Sequence, residues 1–315
     1  MSKKIKFVEV DSEIGAGTRG ASMGIDAIKI AALDYGSDLF NKIKSVQVKT
    51  ENDALFHEQH YKHAKRVDSI VKTQKRIATA VKSVLRTNTF PIILSGDHSS
   101  AAATIAGIKA YKPKMRLGVV WIDAHADLHT PYTTPSGNVH GMPLAACLGE
   151  DNKKNKSNRP SKETIAHWEE LKNIGGISPK INYEDIVFIA LRDFEKQERE
   201  LIKKNGVKVY SVADVRKNGA TKVARSVINN LDECDMIYVS FDVDSMDSAI
   251  SKGTGTPVPD GITEKEAGNL CAYIVENEKV CCFEITEVNP TLDSENLMAE
   301  NTFEILQKVI GRLKN

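Results

Sequence analysis

The sequence predicts an α/β protein of the three-layer sandwich type, in which helices flank a central parallel β-sheet on both faces. Short apolar runs alternate along the chain with longer amphipathic segments, and this alternation is typical of repeated βα units. Several of the runs consist almost entirely of Val, Ile, Leu, Phe and Tyr. Such runs predict strands that are covered on both faces, as in a parallel sheet.

Seven strands are predicted from the apolar runs, and they cover 6–10, 90–94, 117–122, 186–190, 207–210, 236–241 and 280–285. Amphipathic segments between them predict helices over 69–85, 196–204, 221–231 and 263–275. A segment with Gly15, Gly17, Gly20 and Gly24 follows the first strand. Its glycine spacing does not match a nucleotide-binding loop, so we expect a long turn that leads into a helix near Ile25 and could border a site.

Length and composition are those of an ordinary globular domain. The 315 residues are enough for one large core, and we expect a single domain over residues 1–315. Lys and Arg (43) nearly balance Asp and Glu (42), so the bulk charge does not favour nucleic acid or an anionic membrane as a partner. No apolar stretch approaches a membrane span, and the N-terminus lacks the apolar core of a signal peptide. Five cysteines, an odd number, do not suggest a disulfide framework, so the expected location is the cytoplasm.

Two segments outside the predicted strands are unusual in composition. Residues 150–163, EDNKKNKSNRPSKE, are polar and basic and contain a proline, so they predict a solvated loop, with a lid over a site as the alternative. His57, His60 and His63 have a helix-like spacing. This spacing indicates a solvated helix face rather than a metal site.

Polar clusters follow four of the predicted strands. Their acidic and imidazole residues are Asp97 and His98, then Asp123, His125 and Asp127, then Asp242, Asp244 and Asp247, and finally Glu284 and Glu287. The carboxyl ends of parallel strands lie along one edge of the sheet, so clusters that are distant in sequence are expected to converge there. One such cluster alone is equally consistent with a solvated turn at a strand end, but four in one chain favour a site.

The central clusters have the composition of a metal centre. The candidate ligands are His98, Asp123, His125, Asp127, Asp242 and Asp244. Four carboxylates brought together without a cation would repel one another and raise each other's pKa values. The set is larger than one tetrahedral zinc site needs, and it suits two ions that share bridging carboxylates. Oxygen and imidazole ligands without cysteine favour Mn²⁺, so two Mn²⁺ ions per subunit are predicted.

Several motifs resemble those of a known enzyme family. SGDHSSA, WIDAHADLHTP, SFDVDSMD and EVNP are similar to motifs of the manganese-dependent ureohydrolases. Within that family, TPYTTPSGNVHGMPLAACLG is similar to the substrate loop of the arginases, and IALRDFEKQE and GTGTPVPDGIT resemble further arginase segments. The resemblance extends from about Gly15 to the end of the chain, and it implies an arginase/deacetylase-like fold.

The resemblance implies hydrolysis of L-arginine to L-ornithine and urea by a hydroxide that bridges two Mn²⁺ ions. One ion would be held by His98, Asp123, Asp127 and Asp242, and the other by Asp123, His125, Asp242 and Asp244. Catalytic roles are implied for Asp127 and His140 in proton transfer and for Glu287 in pairing with the guanidinium group. Substrate contacts are implied for His129, Ser136, Asn138, Glu195, Glu198 and Thr256. The family further implies a homo-oligomer, either a trimer or a hexamer.

Two of the implied substrate contacts differ from the arginase pattern. His129 stands where arginases usually have an asparagine, and Glu195 replaces a shorter aspartate. Both differences lie at the amino-acid end of the expected pocket, so they bear on the identity of the substrate more than on the reaction. Glu198 and Thr256 are equally consistent with surface or turn positions.

Three alternative functions are compatible with these residues. A ureohydrolase that acts on another guanidino or formimino compound, such as agmatine, guanidinobutyrate or formiminoglutamate, would retain the same metal ligands. A relative of the same fold deacylates acetyl-lysine or polyamines with one zinc ion, but the full ligand set does not favour it. A metal-binding regulator without catalysis is the third alternative, although His140 and Glu287 are both present.

Overall fold

An eight-stranded parallel sheet forms the centre of the structure, a computed structural model that describes residues 3–314. The strand order is β2-β1-β3-β8-β7-β4-β5-β6, and every neighbouring pair is parallel. The strands are β1 (Ile5–Val10), β2 (Ser45–Gln47), β3 (Phe90–Ser95), β4 (Leu117–Ile122), β5 (Ile186–Ile189), β6 (Lys208–Tyr210), β7 (Met236–Asp242) and β8 (Val280–Thr286).

Helices cover both faces of the sheet. They are α1 (Gly24–Asp34), α2 (Leu39–Lys42), α3 (Val67–Arg86), α4 (Ala101–Tyr111), α5 (Pro143–Leu148), α6 (Lys162–Lys172), α7 (Lys196–Asn205), α8 (Val212–Asn218), α9 (Ala220–Asn230), α10 (Glu264–Val275) and α11 (Leu297–Lys314). One apolar core joins the sheet to α1 and α8–α11, and a second core joins it to α3–α7. Successive strand residues alternate between the two cores, so that Val120 packs in the first and Trp121 in the second. The three-layer α/β prediction is confirmed.

The strands that carry the polar clusters are neighbours in the sheet. β3, β8, β7 and β4 occupy four consecutive positions, and each of them is followed by one of the clusters. Because parallel strands end at the same edge, this order brings the clusters together. The convergence predicted from the sequence therefore follows directly from the topology.

The departures from the predicted elements have local causes. β2 is a three-residue edge strand whose side chains are exposed or half-buried, so it has no apolar run to reveal it. α4 is buried on nearly all sides and therefore lacks the amphipathic period that marked the other helices. Residues 57–66 do not form a helix, so the predicted solvated helix face is wrong there; His57 and His60 are nonetheless exposed.

The polar segment 150–163 is mostly irregular, apart from one short turn at Lys153–Asn155 and the start of α6, where the Ser161 side chain accepts the backbone N–H of Thr164. Within residues 3–314, no helix has both the length and the apolar character needed to cross a membrane.

Candidate metal centre and substrate cavity

The segment after β3 places His98 at the carboxyl edge of the sheet. Asp97 caps the short turn His98–Ser100 by accepting the backbone N–H of Ser99 at 2.9 Å, and it also accepts the N–H of Gly15 at 3.0 Å. A Cβ atom at Gly15 would lie 2.5 Å from Asp97 Oδ1, so a larger residue would clash there. The glycine-rich segment therefore packs against the start of the site.

Three carboxylates converge on the imidazole of His98. Its Nδ1 lies 3.1 Å from one Oδ2 atom of each of Asp123, Asp127 and Asp242. All of these side chains are buried. Among the described residues, neither His98 Nδ1 nor Asp123 Oδ2 makes a hydrogen bond. Buried donors and acceptors that converge without pairing fit a divalent cation.

A second group of ligand atoms lies beside the first and shares one residue with it. His125 Nδ1 is 2.9 Å from Asp244 Oδ2 and 3.6 Å from Asp123 Oδ1. Asp123 thus directs one carboxylate oxygen toward His98 and the other toward His125. One atom each from Asp123, His125 and Asp244 falls within 4.8 Å of the others, as does one each from His98, Asp123 and Asp127. A carboxylate that faces two ligand groups is the arrangement that two bridged ions require.

The electrostatics of these groups also fit a bound cation. Burial and the charge of Asp123 raise the pKa of Asp127 to about 6, and burial raises the pKa values of Asp242 and Asp244. The carboxylates in turn overcome the effect of burial on His125 and raise the pKa of its imidazole. A divalent ion would stabilise the ionised forms of Asp127, Asp242 and Asp244, whose pKa values are raised.

Contacts behind the ligands fix their orientation. The His98 ring stacks on Trp121, with centroids 4.2 Å apart and an interplanar angle of 7°, and its Nε2 lies 2.8 Å from Ser240 Oγ. Ser240 was not among the residues predicted from the sequence. The alternation of side chains along a strand could have indicated it, because Ser240 precedes the candidate ligand Asp242 by two residues on β7 and points to the same side of the strand.

Glu284 does not reach the cavity, although it belongs to one of the polar clusters. It is fully buried in the sheet, where its carboxylate accepts hydrogen bonds from Tyr238 at 2.7 Å and Ser95 at 2.8 Å. Glu284 is therefore a paired core carboxylate, as a buried charge requires.

Arg192 supports the loop that carries Asp244. It was not among the site residues predicted from the sequence. Its guanidinium donates to backbone carbonyls at 2.9–3.2 Å from Ala190, Asp244, Ser245, Met246, Val258 and Pro259. A planar guanidinium has five N–H donors and so can serve several carbonyls at once. Arg192 lies in the quoted motif IALRDFEKQE, but no pattern in the sequence indicates which carbonyls it meets.

His140 and Glu287 form a hydrogen-bonded pair next to the metal ligands. His140 Nδ1 lies 3.0 Å from Glu287 Oε1, which also accepts the backbone N–H of His98 at 2.9 Å. Burial opposes protonation of His140, but Glu287 prevails and raises the pKa of the imidazole to about 9. Glu287 Oε2 is buried and has no partner among residues 3–314. A buried carboxylate oxygen without a partner would be satisfied by a cationic group.

The opposite wall contains His129, Glu195 and Glu198. His129 Nε2 lies 2.8 Å from Glu195 Oε2 and 3.4 Å from Glu198 Oε2. Glu195 and Glu198 are the N-cap and third residues of α7 and form a capping box. The hydrogen bond with His129 lowers the pKa of Glu195 to about 2, whereas burial raises the pKa of Glu198 to about 8. Glu198 is 2% exposed, so the surface alternative for this residue is wrong.

A cavity of about 120 Å³ joins these walls. The predicted site residues that line it are His98, His125, Asp127, His129, Ser136, Asn138, His140, Glu195, Glu198, Asp242, Asp244 and Thr256. Thr256 donates to Asp244 Oδ2 at 3.2 Å. Asp123 and Glu287 are buried behind the cavity wall but contact its residues. The lining also includes Thr134, Pro135 and Gly141, which the interpretation of the sequence did not single out.

The polar segment 150–163 supports the cavity from outside. Asn158 Nδ2 donates to the Thr134 carbonyl at 2.6 Å, and the Thr130 hydroxyl donates to the Asp151 carbonyl at 2.8 Å. Thr134 lines the cavity. The predicted loop is thus packed against the backbone of the substrate loop in this structure.

Known proteins resemble this chain over almost its whole length. The model of the Arginase family matches residues 3–312. The chain belongs to the arginase family. It is 35% identical to an arginase of Brevibacillus brevis over 99% of both chains. Membership makes the chain a hydrolase of guanidino C–N bonds and assigns it to a family that depends on a binuclear metal centre.

Solved arginase structures have the same fold. A crystal structure of arginase from Bacillus subtilis superimposes with a TM-score of 0.82 at 32% identity, covering 98% of this chain and 99% of that one. The arginase of Bacillus caldovelox gives a TM-score of 0.82 at 33% identity, with 98% of each chain covered. The resemblance in the motifs to this family is therefore confirmed over nearly the whole chain.

Proposed function

We propose that the protein is an arginase that hydrolyses L-arginine to L-ornithine and urea with two Mn²⁺ ions. The observation that carries the proposal is the position of Asp123 between two ligand groups, with one oxygen 3.1 Å from His98 Nδ1 and the other 3.6 Å from His125 Nδ1. One ion would be held by His98, Asp123, Asp127 and Asp242, and the other by Asp123, His125, Asp242 and Asp244. When bound, the two ions would supply Lewis-acid activation of water at neutral pH.

The side chains around this centre have distinct tasks in the proposed reaction. Glu287 would bind the guanidinium group, because its free Oε2 is a buried acceptor matched to a planar cation. Water adds to the guanidinium carbon, the bond from that carbon to Nε breaks, and both protons of the water end on Nε, which gives urea and the ammonium group of ornithine. Asp127 would carry the first of these protons from water to the leaving amine. His140, held by Glu287, would exchange protons with solvent at the cavity mouth.

The amino-acid end of the substrate would lie against the opposite wall. An α-amino acid carries one ammonium and one carboxylate group, and this wall offers the Glu195 carboxylate and the imidazole of His129. Ser136 and Asn138 contribute further polar groups to the same cavity. Agmatine lacks the carboxylate and guanidinobutyrate lacks the ammonium, so each would leave one member of the His129–Glu195 pair unmatched.

A substrate comparison tests the proposal. Mn²⁺-loaded protein is incubated with L-arginine, agmatine, guanidinobutyrate and formiminoglutamate, and urea, or formamide from the last compound, is measured. We expect the highest kcat/KM with L-arginine. If the protein turned over another of these compounds but not L-arginine, the proposed substrate would be wrong, and the protein would be a ureohydrolase of that compound.

Two further measurements separate the remaining alternatives. Two Mn²⁺ ions per subunit are expected, whereas the one-zinc deacylase alternative predicts one ion. Asp127→Asn should abolish most urea release, with Asp232→Asn, an exposed acidic residue, as the matched control. If Asp127→Asn released urea as fast as the control variant, the mechanism would be contradicted. If neither the wild type nor the variants released urea, the regulator without catalysis would be favoured. Three expectations remain predictions: the single domain, the cytoplasmic location, and the trimer or hexamer. Sedimentation of the protein tests the oligomeric state.

A further inference from the structure

A second group of possible metal ligands, His129, Glu195 and Glu198, lines the same cavity. His129 Nε2 faces carboxylate oxygens of Glu195 and Glu198 at 2.8 and 3.4 Å, and one ligand atom from each residue lies within 4.8 Å of the others. The corresponding distances from His98 and His125 to their carboxylates are 2.9–3.6 Å. Ligands about 2.0–2.2 Å from a tetrahedral zinc ion lie roughly 3.3–3.6 Å apart. The 3.4 Å separation fits this spacing, whereas the hydrogen-bonded pair at 2.8 Å would have to separate slightly to admit the ion.

Each of the three donors is held in place by a separate contact. His129 Nδ1 lies 3.2 Å from Thr133 Oγ1, which turns Nε2 toward the glutamates. Glu198 Oε1 accepts the backbone N–H of Leu128 at 3.0 Å, and its Oε2, which faces His129, accepts the backbone N–H of Glu195 at 3.0 Å. Glu195 is oriented by the capping box at the start of α7. Imidazole ligands with an occupied second nitrogen and carboxylates with a tethered second oxygen are typical of metal sites.

We propose that His129, Glu195 and Glu198 form a third divalent-cation site, suited to Zn²⁺, whose occupation competes with the amino-acid end of the substrate. Three nitrogen and oxygen ligands with an open position toward the cavity form a typical zinc arrangement, and Zn²⁺ binds such ligands more tightly than Mn²⁺. His129 and Glu198 are buried, whereas Glu195 is about half exposed, so an ion could enter from the solvent side.

Metal content tests the site without reference to activity. The protein is loaded fully with Zn²⁺, desalted, and measured by mass spectrometry of the elements. We expect three zinc ions per subunit in the wild type and two in His129→Asn and in Glu195→Gln. His57→Asn, an exposed histidine outside the cavity, should retain three. Two ions in the wild type, or three in both cavity variants, would overturn the third site.

Kinetics test the competition, which rests on the proposed function. With Mn²⁺-loaded enzyme, in assays that finish before Zn²⁺ exchanges into the Mn²⁺ centre, Zn²⁺ at ten times its Kd for the third site should raise the KM for L-arginine about tenfold and leave kcat unchanged. The KM of His129→Asn should not respond to Zn²⁺. A fall in kcat without a change in KM would overturn the competition. If L-arginine is not a substrate at all, the ion count still supports or overturns the third site, so the two failures are distinguishable.

Discussion

His140 and Glu287 share a hydrogen bond of 3.0 Å beside the metal ligands, and the same Glu287 oxygen accepts the backbone N–H of His98. Glu287 thus connects the candidate proton shuttle to the segment that carries a candidate metal ligand. Its other oxygen is buried and makes no hydrogen bond within residues 3–314. One carboxylate therefore positions the imidazole, and in the proposed function the same carboxylate would pair with the guanidinium group.

Glu287→Gln should lower kcat/KM for L-arginine by about 10- to 150-fold, because a charge-assisted hydrogen bond contributes roughly 1.5–3 kcal/mol. The amide retains the shape of the side chain but loses the charge. Steady-state urea release by the Mn²⁺-loaded variant measures the effect. Glu278→Gln, outside the cavity, serves as the control. An unchanged kcat/KM would show that Glu287 does not pair with the substrate.

Ser240→Ala should weaken binding of the ion at His98 by about 10- to 100-fold, the range expected for loss of a hydrogen bond behind a metal ligand. The hydroxyl lies 2.8 Å from His98 Nε2 and is buried, so no water would replace it readily. Competition between the protein and a chelator gives the Mn²⁺ Kd. Ser69→Ala on α3, also buried, should leave this Kd unchanged. If Ser240→Ala bound Mn²⁺ with the same Kd as Ser69→Ala, Ser240 would not contribute to metal binding.

Arg192→Lys should destabilise the protein by roughly 2–4 kcal/mol, since one ammonium cannot satisfy the carbonyls that the guanidinium serves. The loop after β7 would also hold Asp244 less firmly. Urea denaturation of the metal-free protein measures the free energy of unfolding, and metal titration measures the second effect. Arg199→Lys, whose guanidinium makes one long hydrogen bond of 3.5 Å to a carbonyl and lies 4.7 Å from the centroid of the Phe194 ring, should cost little. If Arg192→Lys lowered the free energy of unfolding no more than Arg199→Lys does, Arg192 would not support the loop in this way.

Asp151→Asn should lower the free energy of unfolding at pH 7 by about 1.5–3 kcal/mol, the usual contribution of hydrogen bonds to charged groups. Asp151 accepts from Trp168 at 2.9 Å and from Lys172 at 2.8 Å. Burial opposes its ionisation, but Lys153, Lys172 and Trp168 prevail and lower its pKa from the ordinary value of 3.8.

The sign of that pKa shift sets the pH dependence. A lowered pKa in the folded state means that the stabilisation is present above the ordinary value of 3.8 and is lost as the pH falls through the folded pKa. The difference between wild type and Asp151→Asn should therefore shrink below about pH 4, in metal-free protein. Asp232→Asn, an exposed residue, is the control. A difference that stays constant down to pH 3 would contradict the linkage.

The sequence predicted most of the strands, and also that the candidate metal ligands converge, because both depend on local patterns. β4 begins and ends where its apolar run does, and the candidate ligands lie at or just after strand ends. β2 and α4 were missed, since a three-residue edge strand and an all-buried helix have no periodic signal. The contact from Ser240 to His98 spans 142 residues, so only the strand order reveals it. The pairing of His129 with Glu195, 66 residues apart, was likewise beyond sequence patterns.

Because of the position of β8, metal binding would indicate that the whole sheet has folded. Among the strands, β8 is the last in the chain, yet it lies between β3 and β7 at the middle of the sheet. Until β8 is inserted, His98 after β3 and Asp242 at the end of β7 cannot lie side by side. An ion that needs both residues would bind only the finished sheet and would stabilise it by mass action. A chain that stops before residue 280 would carry every proposed ligand in its sequence but would leave them on two unconnected pieces of sheet.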